Sequence, residues 1–164
     1  MVVLRFKSIG KDAMSTVKLL AGLVCAIILS GCASEPPRVK ETLSGKPEGV
    51  FRNTSVEDAR YAIINQCASK GLSVEESTGN QVICSKEMAG SQAVATQAVL
   101  GNSYSTTPQV KARFVFAKKG ADTRVICYGW YETVMALGQV RTMEASSNTD
   151  FNGLMSFLSN AGAE

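Results

Sequence analysis

The chain has 164 residues, a formal net charge of +3 at pH 7 and no histidine. Its length suits one domain. The absence of imidazole excludes Ser-His-Asp and Cys-His catalysis and helical HExxH zinc sites. Residues 1–31 hold four of the 17 basic residues and one of the 14 acidic residues, so the rest carries 13 of each sign. A basic surface for nucleic acid is therefore not expected.

The N-terminus has the pattern of a secretory signal peptide. A cationic stretch ends at Lys18, and an apolar run follows from Leu19 to Leu29. The run is too short for a membrane span, which needs roughly 20 residues, but it suits the apolar region of a removable leader. Met14 would start a leader of more typical length, and we expect cleavage after Gly31.

The residues that close this segment, Leu29-Ser30-Gly31-Cys32, resemble the lipobox of bacterial lipoproteins. The resemblance implies lipidation of the Cys32 thiol, cleavage before it and acylation of the new N-terminus, which together give stable membrane anchoring. In enteric bacteria an Asp directly after the cysteine retains such proteins in the inner membrane. Ala33 stands there instead, which implies the outer membrane, with the domain in the periplasm. A chance match within an ordinary leader is the alternative.

Residues 32–53 predict a lipidated N-terminus followed by a flexible tether. Pro36, Pro37 and Pro47 lie there among charged residues, with few apolar ones, a composition that does not bury a core. The globular domain is therefore expected to span residues 54–164.

The first half of this domain predicts a helix and a hairpin. The strongest helical pattern covers residues 55–70, where apolar residues recur on one face. Alternating apolar residues over 72–84 predict a β-hairpin around a three-residue loop at 78–80, with Cys84 opposite Val74. The uncharged segment 88–108 is read as a short helix at 91–100 and a loop; an additional β segment is the alternative.

The clearest β pattern covers residues 109–133. Gly120-Ala121 predicts a two-residue turn with glycine at the first central position. This register pairs Lys119 with Asp122 and aligns Phe114 and Phe116 on a core face.

A further strand is expected near 137–144, and then a last helix whose N-cap is Ser147, Asn148 or Thr149. The order of elements contains no repeated βαβ alternation, which argues against a parallel sheet. The predicted fold is α+β: a single small domain with an antiparallel sheet of about five strands and two main helices on one face.

Three cysteines remain after the predicted lipidation site: Cys67, Cys84 and Cys127. Their spacing fits neither a CxxC redox pair nor a zinc site. They are either three buried thiols or one disulfide and one buried thiol. If a disulfide forms, Cys67–Cys84 is favoured over Cys84–Cys127. A catalytic thiol is disfavoured because no histidine can activate it.

Paired carboxylates are the groups that carry out glycoside hydrolysis. Glu75 and Glu76 are adjacent on a predicted strand, so we expect their side chains on opposite faces, and the chain offers little room for a large cleft. No catalytic residue, metal ligand or cofactor is predicted.

The register of the 109–133 hairpin suggests one functional surface. It brings charged and aromatic residues to the face opposite Phe114, a composition typical of protein-binding surfaces. Cover by another element is the alternative. The residues of this possible binding face are Lys111, Arg113, Tyr128, Trp130 and Glu132.

These observations predict a non-enzymatic lipoprotein of the bacterial cell envelope. Its partners are expected to be the membrane, through Cys32, and an unknown envelope protein, without nucleic acid. Two alternatives remain open: an exclusion or immunity lipoprotein of a mobile element, and a small envelope hydrolase.

Overall fold

An antiparallel sheet of six strands and three helices forms the fold in the computed structural model, which describes residues 34–164. The elements in chain order are β1 (Glu48–Phe51), α1 (Val56–Ser69), β2 (Ser73–Thr78), β3 (Gln81–Glu87), α2 (Gly90–Leu100), β4 (Gln109–Lys119), β5 (Asp122–Val134), β6 (Val140–Glu144) and α3 (Asn148–Asn160). The strand order is β1-β5-β4-β3-β2, and β6 also pairs with β5. The predicted α+β class is confirmed.

The long β4–β5 hairpin has the predicted register. It turns at Gly120, whose φ of +63° lies in the region that glycine adopts at little cost. Because side chains alternate along a strand, this register assigns every β4 and β5 residue to one of two faces. The observed pairs include Lys119 with Asp122, Phe116 with Val125, Phe114 with Cys127, Arg113 with Tyr128 and Lys111 with Trp130.

One face of the sheet carries the core. Phe114 is fully buried, and its ring stacks on Phe157 of α3 with the centroids 5.1 Å apart. Both α1 and α3 contribute buried residues to the same cluster as the strands. The buried members of this cluster are Phe51, Ala59, Ile63, Cys67, Val82, Cys84, Ala112, Phe114, Phe116, Val125, Cys127, Leu158 and Ala163.

Side-chain caps fix where α1 and α3 begin. Ser55 Oγ accepts a hydrogen bond from the Asp58 amide, and Ser147 Oγ accepts one from the Asp150 amide, each at 3.0 Å. These bonds satisfy amides that have no partner within the helix. In contrast, Ala89 gives α2 no side-chain cap. Within residues 34–164 no helix is long and apolar enough to cross a membrane.

A disulfide joins the end of α1 to β3. Cys67 and Cys84 are bonded, with their Cα atoms 6.4 Å apart, which confirms the favoured pairing. Cys127 is free and buried, and burial raises the pKa of its thiol. The thiol therefore stays protonated and unreactive.

The β2–β3 connection differs from the predicted loop. Gly79-Asn80 forms a two-residue turn rather than a three-residue loop, which alone would shift the register by one residue. A β-bulge between Val74 and Glu76 compensates, so Val74 still pairs with Cys84 as predicted. The sequence pattern could not distinguish these two routes to the same pairing.

The predicted domain boundary at residue 54 is wrong, because the end of the predicted tether over 32–53 belongs to the sheet. The strand β1 pairs with β5 within residues 48–51, and Phe51 is buried in the core. The domain therefore starts well before residue 54, and the sheet has six strands instead of about five. The sequence pattern missed β1 because it is short and follows a proline-rich segment.

The residues before β1 also contact the domain. Val39 N donates to Asn152 Oδ1 over 2.8 Å, and the Arg38 guanidinium lies 4.6 Å from the centroid of the Phe151 ring. Glu35 accepts a hydrogen bond from the Asn148 amide at the start of α3. Residues 35–39 are thus held against α3 and do not act as a free linker.

Truncation of Phe114 tests the register. Phe114→Ala should lower the free energy of unfolding by about 3–5 kcal/mol, because it removes buried contacts and leaves a cavity. Urea unfolding of the chain without its leader gives this quantity. Leu43, which is 94% exposed, provides the control: Leu43→Ala should change stability by less than about 0.5 kcal/mol. Equal effects of the two substitutions would contradict the assigned core face.

Candidate functional site

The five residues of the predicted binding face lie together in the structure. We call the side of the sheet that carries Lys111, Arg113, Tyr128, Trp130 and Glu132 the outer face. Lys111 pairs with Trp130, Arg113 pairs with Tyr128, and Glu132 follows Trp130 on the same side of β5. All five remain partly or largely exposed. The hairpin register alone therefore assembles this surface, as predicted.

Lys111 forms the electrostatic centre of the outer face. Its Nζ lies 3.0 Å from Glu75 Oε2 on one side and 3.0 Å from Glu132 Oε1 on the other. The Lys111 side chain is only 13% exposed. Partial burial lowers its pKa, but the two carboxylates outweigh that effect and hold the pKa above its usual value. The ammonium thus remains charged and paired.

Glu75 is held in its ionised form. Desolvation alone would raise its pKa, but hydrogen bonds from Ser85 and Lys111, with the charge of Lys111, lower the pKa below its usual value. A carboxylate with this bias is a poor proton donor near neutral pH. Its position suits a structural ion pair rather than general acid catalysis.

The expectation that Glu75 and Glu76 point to opposite faces is wrong. The bulge between Val74 and Glu76 inserts one extra residue, which interrupts the alternation. The Glu75 carboxylate accepts a hydrogen bond from Lys111 Nζ. Glu76 pairs with Ile83 in β3. Its carboxylate accepts a hydrogen bond from Gln81 Nε2 over 2.7 Å. Both carboxylates therefore lie on the outer face.

The aromatic residues of the outer face contact charged neighbours. The Arg113 guanidinium lies 5.0 Å from the centroid of the Tyr128 ring, within the range of a cation–π contact. Trp130 Nε1 donates to Glu132 Oε2 over 3.2 Å. These contacts hold flat, partly exposed rings in fixed positions. Such preorganised aromatic residues are suited to recognition, because little side-chain freedom is lost when a partner binds.

A second concave region, which no sequence pattern predicted, lies at the junction of α2, α3 and the sheet. A cavity of about 630 Å³ is lined by residues that include Met88, Thr96, Tyr131 and Asp150. The Tyr131 hydroxyl donates to Asp150 Oδ1 over 2.6 Å. Burial, together with this carboxylate, raises the pKa of Tyr131 to about 12. The phenol is therefore neutral at physiological pH and unsuited to act as a base.

Only the register position of Tyr131 in β5 pointed to this region. Tyr131 faces the core side opposite Val110, but its polar partner Asp150 comes from α3, far along the chain. Among the residues that the structure describes, no group of three or more His, Cys, Asp or Glu side chains is arranged to bind a metal ion.

Comparisons with protein-family models, curated proteins and solved structures returned no match to this chain.

The Lys111–Glu75 pair generates a pH-dependent prediction. Because the pKa of Glu75 is lowered by folding, its contribution is present above its unfolded pKa and is lost as pH falls through the folded value. Glu75→Gln should therefore destabilise the protein at neutral pH by about 0.5–1 kcal/mol. The difference from wild type should shrink as pH falls from 7 towards 3, because protonation of Glu75 removes the ion pair.

Urea unfolding at the two pH values measures this effect. A double-mutant cycle with Lys111→Met separates the pair from the individual side chains. Without Lys111, the pH-dependent difference between Glu75 and Gln should decrease. A difference that stays constant with pH would show that the ion pair contributes nothing to folding.

Proposed function

We propose that the protein is a lipoprotein of the bacterial cell envelope that binds another envelope protein through its outer face. Cys32 would anchor it in the outer membrane, with the domain in the periplasm. The leader and Cys32 lie outside the described residues, so the anchor rests on the resemblance of Leu29-Ser30-Gly31-Cys32 to a lipobox.

The Cys67–Cys84 disulfide supports an extracytoplasmic location. Disulfides persist in oxidising compartments such as the periplasm and are rare in the reducing cytosol. A chain that forms this bond as part of its core is therefore suited to export, which agrees with the predicted leader.

The observation that carries the binding role is the composition of the outer face. Trp130 and Tyr128 offer partly exposed aromatic area, while Lys111 is already neutralised by its carboxylate neighbours. A partner that covers Lys111 buries an ammonium that is already paired, and so avoids the cost of a buried charge without a partner at this position. Aromatic residues framed by polar groups are the usual energetic centres of protein interfaces.

A binding role also agrees with the chemistry of the nucleophiles and acids. Burial keeps the Cys127 thiol protonated, and burial together with the bond to Asp150 keeps Tyr131 neutral. Glu75 is held as a paired carboxylate. None of these groups is tuned for proton transfer near neutral pH, which favours recognition over catalysis as the role of the domain.

The anchor predicts a specific N-terminus. Mass spectrometry of protein isolated from bacterial membranes should find Cys32 as the first residue, carrying acyl chains. Cys32→Ala should leave an unlipidated precursor that retains its leader. Cys25→Ala is the matched control, because Cys25 lies in the predicted leader and its loss should leave processing unchanged. An unmodified N-terminus at another residue would contradict the proposed anchor.

If the outer face is the binding site, a partner should crosslink to a probe placed on it. A photoreactive amino acid at Tyr128 should capture a specific envelope protein in living cells, and the same probe at Tyr61, a 51% exposed residue of α1, should not. Against that partner, Trp130→Ala should weaken binding by about 2 kcal/mol, roughly 30-fold, with the fold retained. Tyr61→Ala should leave affinity unchanged. Equal capture at the two positions would exclude the outer face as the binding site.

A further inference from the structure

An apolar pocket lies on the core side of the sheet, next to α3. Its floor includes side chains that alternate along β4: Val110, Ala112 and Phe114. Leu154 and Phe157 of α3 form one wall. The pocket has a volume of about 220 Å³, its lining is mostly apolar, and it is partly open to solvent. An apolar cavity of about 150 Å³ is large enough to take up benzene, so this pocket has room for an aromatic ring or a short alkyl chain.

Small residues leave this space open. Ala112 pairs with Gly129 in the β4–β5 register, so together these two residues add only one methyl group to the floor. On α3, Gly153 also lines the pocket, and a Cβ added there would have open space around it. Glycine inside a helix is destabilising relative to alanine. The helix α3 therefore loses stability at a position that borders the pocket.

Asp150 places a carboxylate at the edge of this pocket. Asp150, Leu154 and Phe157 recur at helical spacing, so they share the stripe of α3 that faces the floor. Asp150 and Tyr131 also line the cavity of about 630 Å³ beside α2, and they therefore lie where the two spaces meet. The carboxylate accepts hydrogen bonds from the Tyr131 hydroxyl and from Ser147 Oγ, each over 2.6 Å. A carboxylate offers about four acceptor positions, so Asp150 can bind a further donor.

The charge available to a ligand in the apolar pocket is negative. Of the described residues that line it, Asp150 and Lys111 are charged. Lys111 directs its ammonium to the outer face, where it is paired with two carboxylates. The larger cavity is lined by Glu87 and by Lys86, whose Nζ donates to Lys70 O over 3.1 Å. The salt bridges formed by the described residues do not include Asp150, which is thus free to pair with a cation.

Asp150 differs from the equivalent residue of α1. Ser55 and Asp58 form the same cap at the start of α1, where Ser55 Oγ donates to Asp58 Oδ2 over 2.6 Å. Asp58 is exposed, whereas Asp150 is half-buried and also accepts the hydrogen bond from Tyr131. Helix capping therefore does not require a bond from a tyrosine or a position beside a pocket. The additional bond holds the Asp150 carboxylate at the pocket edge, which reduces the side-chain freedom lost when a ligand binds.

We propose that this pocket binds a small amine whose apolar ring or chain fills the space between α3 and the sheet and whose ammonium group pairs with Asp150. Burial of the ring or chain removes apolar area from water. The pairing with Asp150 is a charge-assisted hydrogen bond, which selects a cation over a neutral or anionic molecule of the same shape. The pocket lies on the side of the sheet opposite the outer face, so this inference is independent of the proposed protein partner and of the anchor.

A series of ligands that share one apolar body tests the proposal. The probe is 2-phenylethylamine, which is a cation at neutral pH, and NMR titration of the isotope-labelled chain without its leader measures its affinity. The dissociation constant should be about 1 mM or below, as expected for a ligand of this size. The neutral 2-phenylethanol should bind about 10-fold more weakly, because it lacks the charge-assisted bond. The anion 3-phenylpropionate should bind more weakly still.

Substitution of the carboxylate tests the position of the ammonium group. Asp150→Asn should weaken binding of 2-phenylethylamine by about 10-fold and leave binding of 2-phenylethanol unchanged. Asp58→Asn is the matched control, because Asp58 has the same bond to its capping serine and does not line the pocket. It should leave the affinity for both ligands unchanged.

Filling the pocket gives a second variant that should keep the fold. Gly153→Leu places a side chain beside the open space and replaces glycine with a better helix former. It should weaken binding of both 2-phenylethylamine and 2-phenylethanol, while the Tm stays the same or rises. This variant tests the site even if Asp150→Asn lowers the stability of the domain.

Three results would overturn the proposal. Equal affinity of the wild-type protein for the amine and the alcohol would exclude the pairing with Asp150. Equal affinity of the wild-type protein and Gly153→Leu for the amine would place the ligand outside this pocket. Spectra that do not change at about 10 mM 2-phenylethylamine would show that the pocket does not bind this class of ligand. In contrast, chemical-shift changes centred on Gly129, Asp150 and Phe157 would support it.

Discussion

The register of the β4–β5 hairpin is the constraint on which the rest of the structure depends. A tight turn at Gly120 leaves one pairing of the two strands, and a slip by one residue would move the side chains of one strand to the other face. Depending on which strand moved, either Phe114 and Phe116 would face solvent or Trp130 would enter the core. The core, the helix packing and the outer face thus all follow from the turn at Gly120, where the backbone has a positive φ.

The centre of the outer face is held together by paired charges. Lys111 sits between Glu75 and Glu132, each 3.0 Å away, and the rings of Tyr128 and Trp130 contact charged groups. The bulge in β2 is part of this arrangement, because it turns Glu75 toward Lys111 instead of the core. Local backbone irregularity and charge pairing therefore act together to define the candidate site.

Strong local signals made much of the fold predictable from the sequence. Ser55 and Ser147 cap their helices, and the Gly120-Ala121 turn sets the hairpin. The same register assembled the outer face, so the candidate site was predictable in its composition. The Cys67–Cys84 pairing followed from placing the end of a helix near a strand.

The remaining features depend on contacts that leave no local pattern. The strand β1 is short and pairs with residues far along the chain, so its composition resembled that of a linker. The bulge near Glu75 conserves the pairing of Val74 with Cys84, and alternation alone cannot reveal it. The bond between Tyr131 and Asp150 joins β5 to α3 through tertiary packing. Each was invisible because the deciding partner is remote in sequence or because two backbone paths give one register.

The way in which β1 and β6 share β5 has a consequence for self-association. β5 is 13 residues long, and an uncovered strand of that length would be a template for other chains. Two short strands from different parts of the chain pair with its two ends, over Thr123–Ile126 and over Trp130–Val134. The opposite border, β2, is interrupted by a bulge and carries Glu75 and Glu76. Both borders of the sheet therefore resist strand addition, which protects the domain against amyloid-like stacking and directs recognition to its faces.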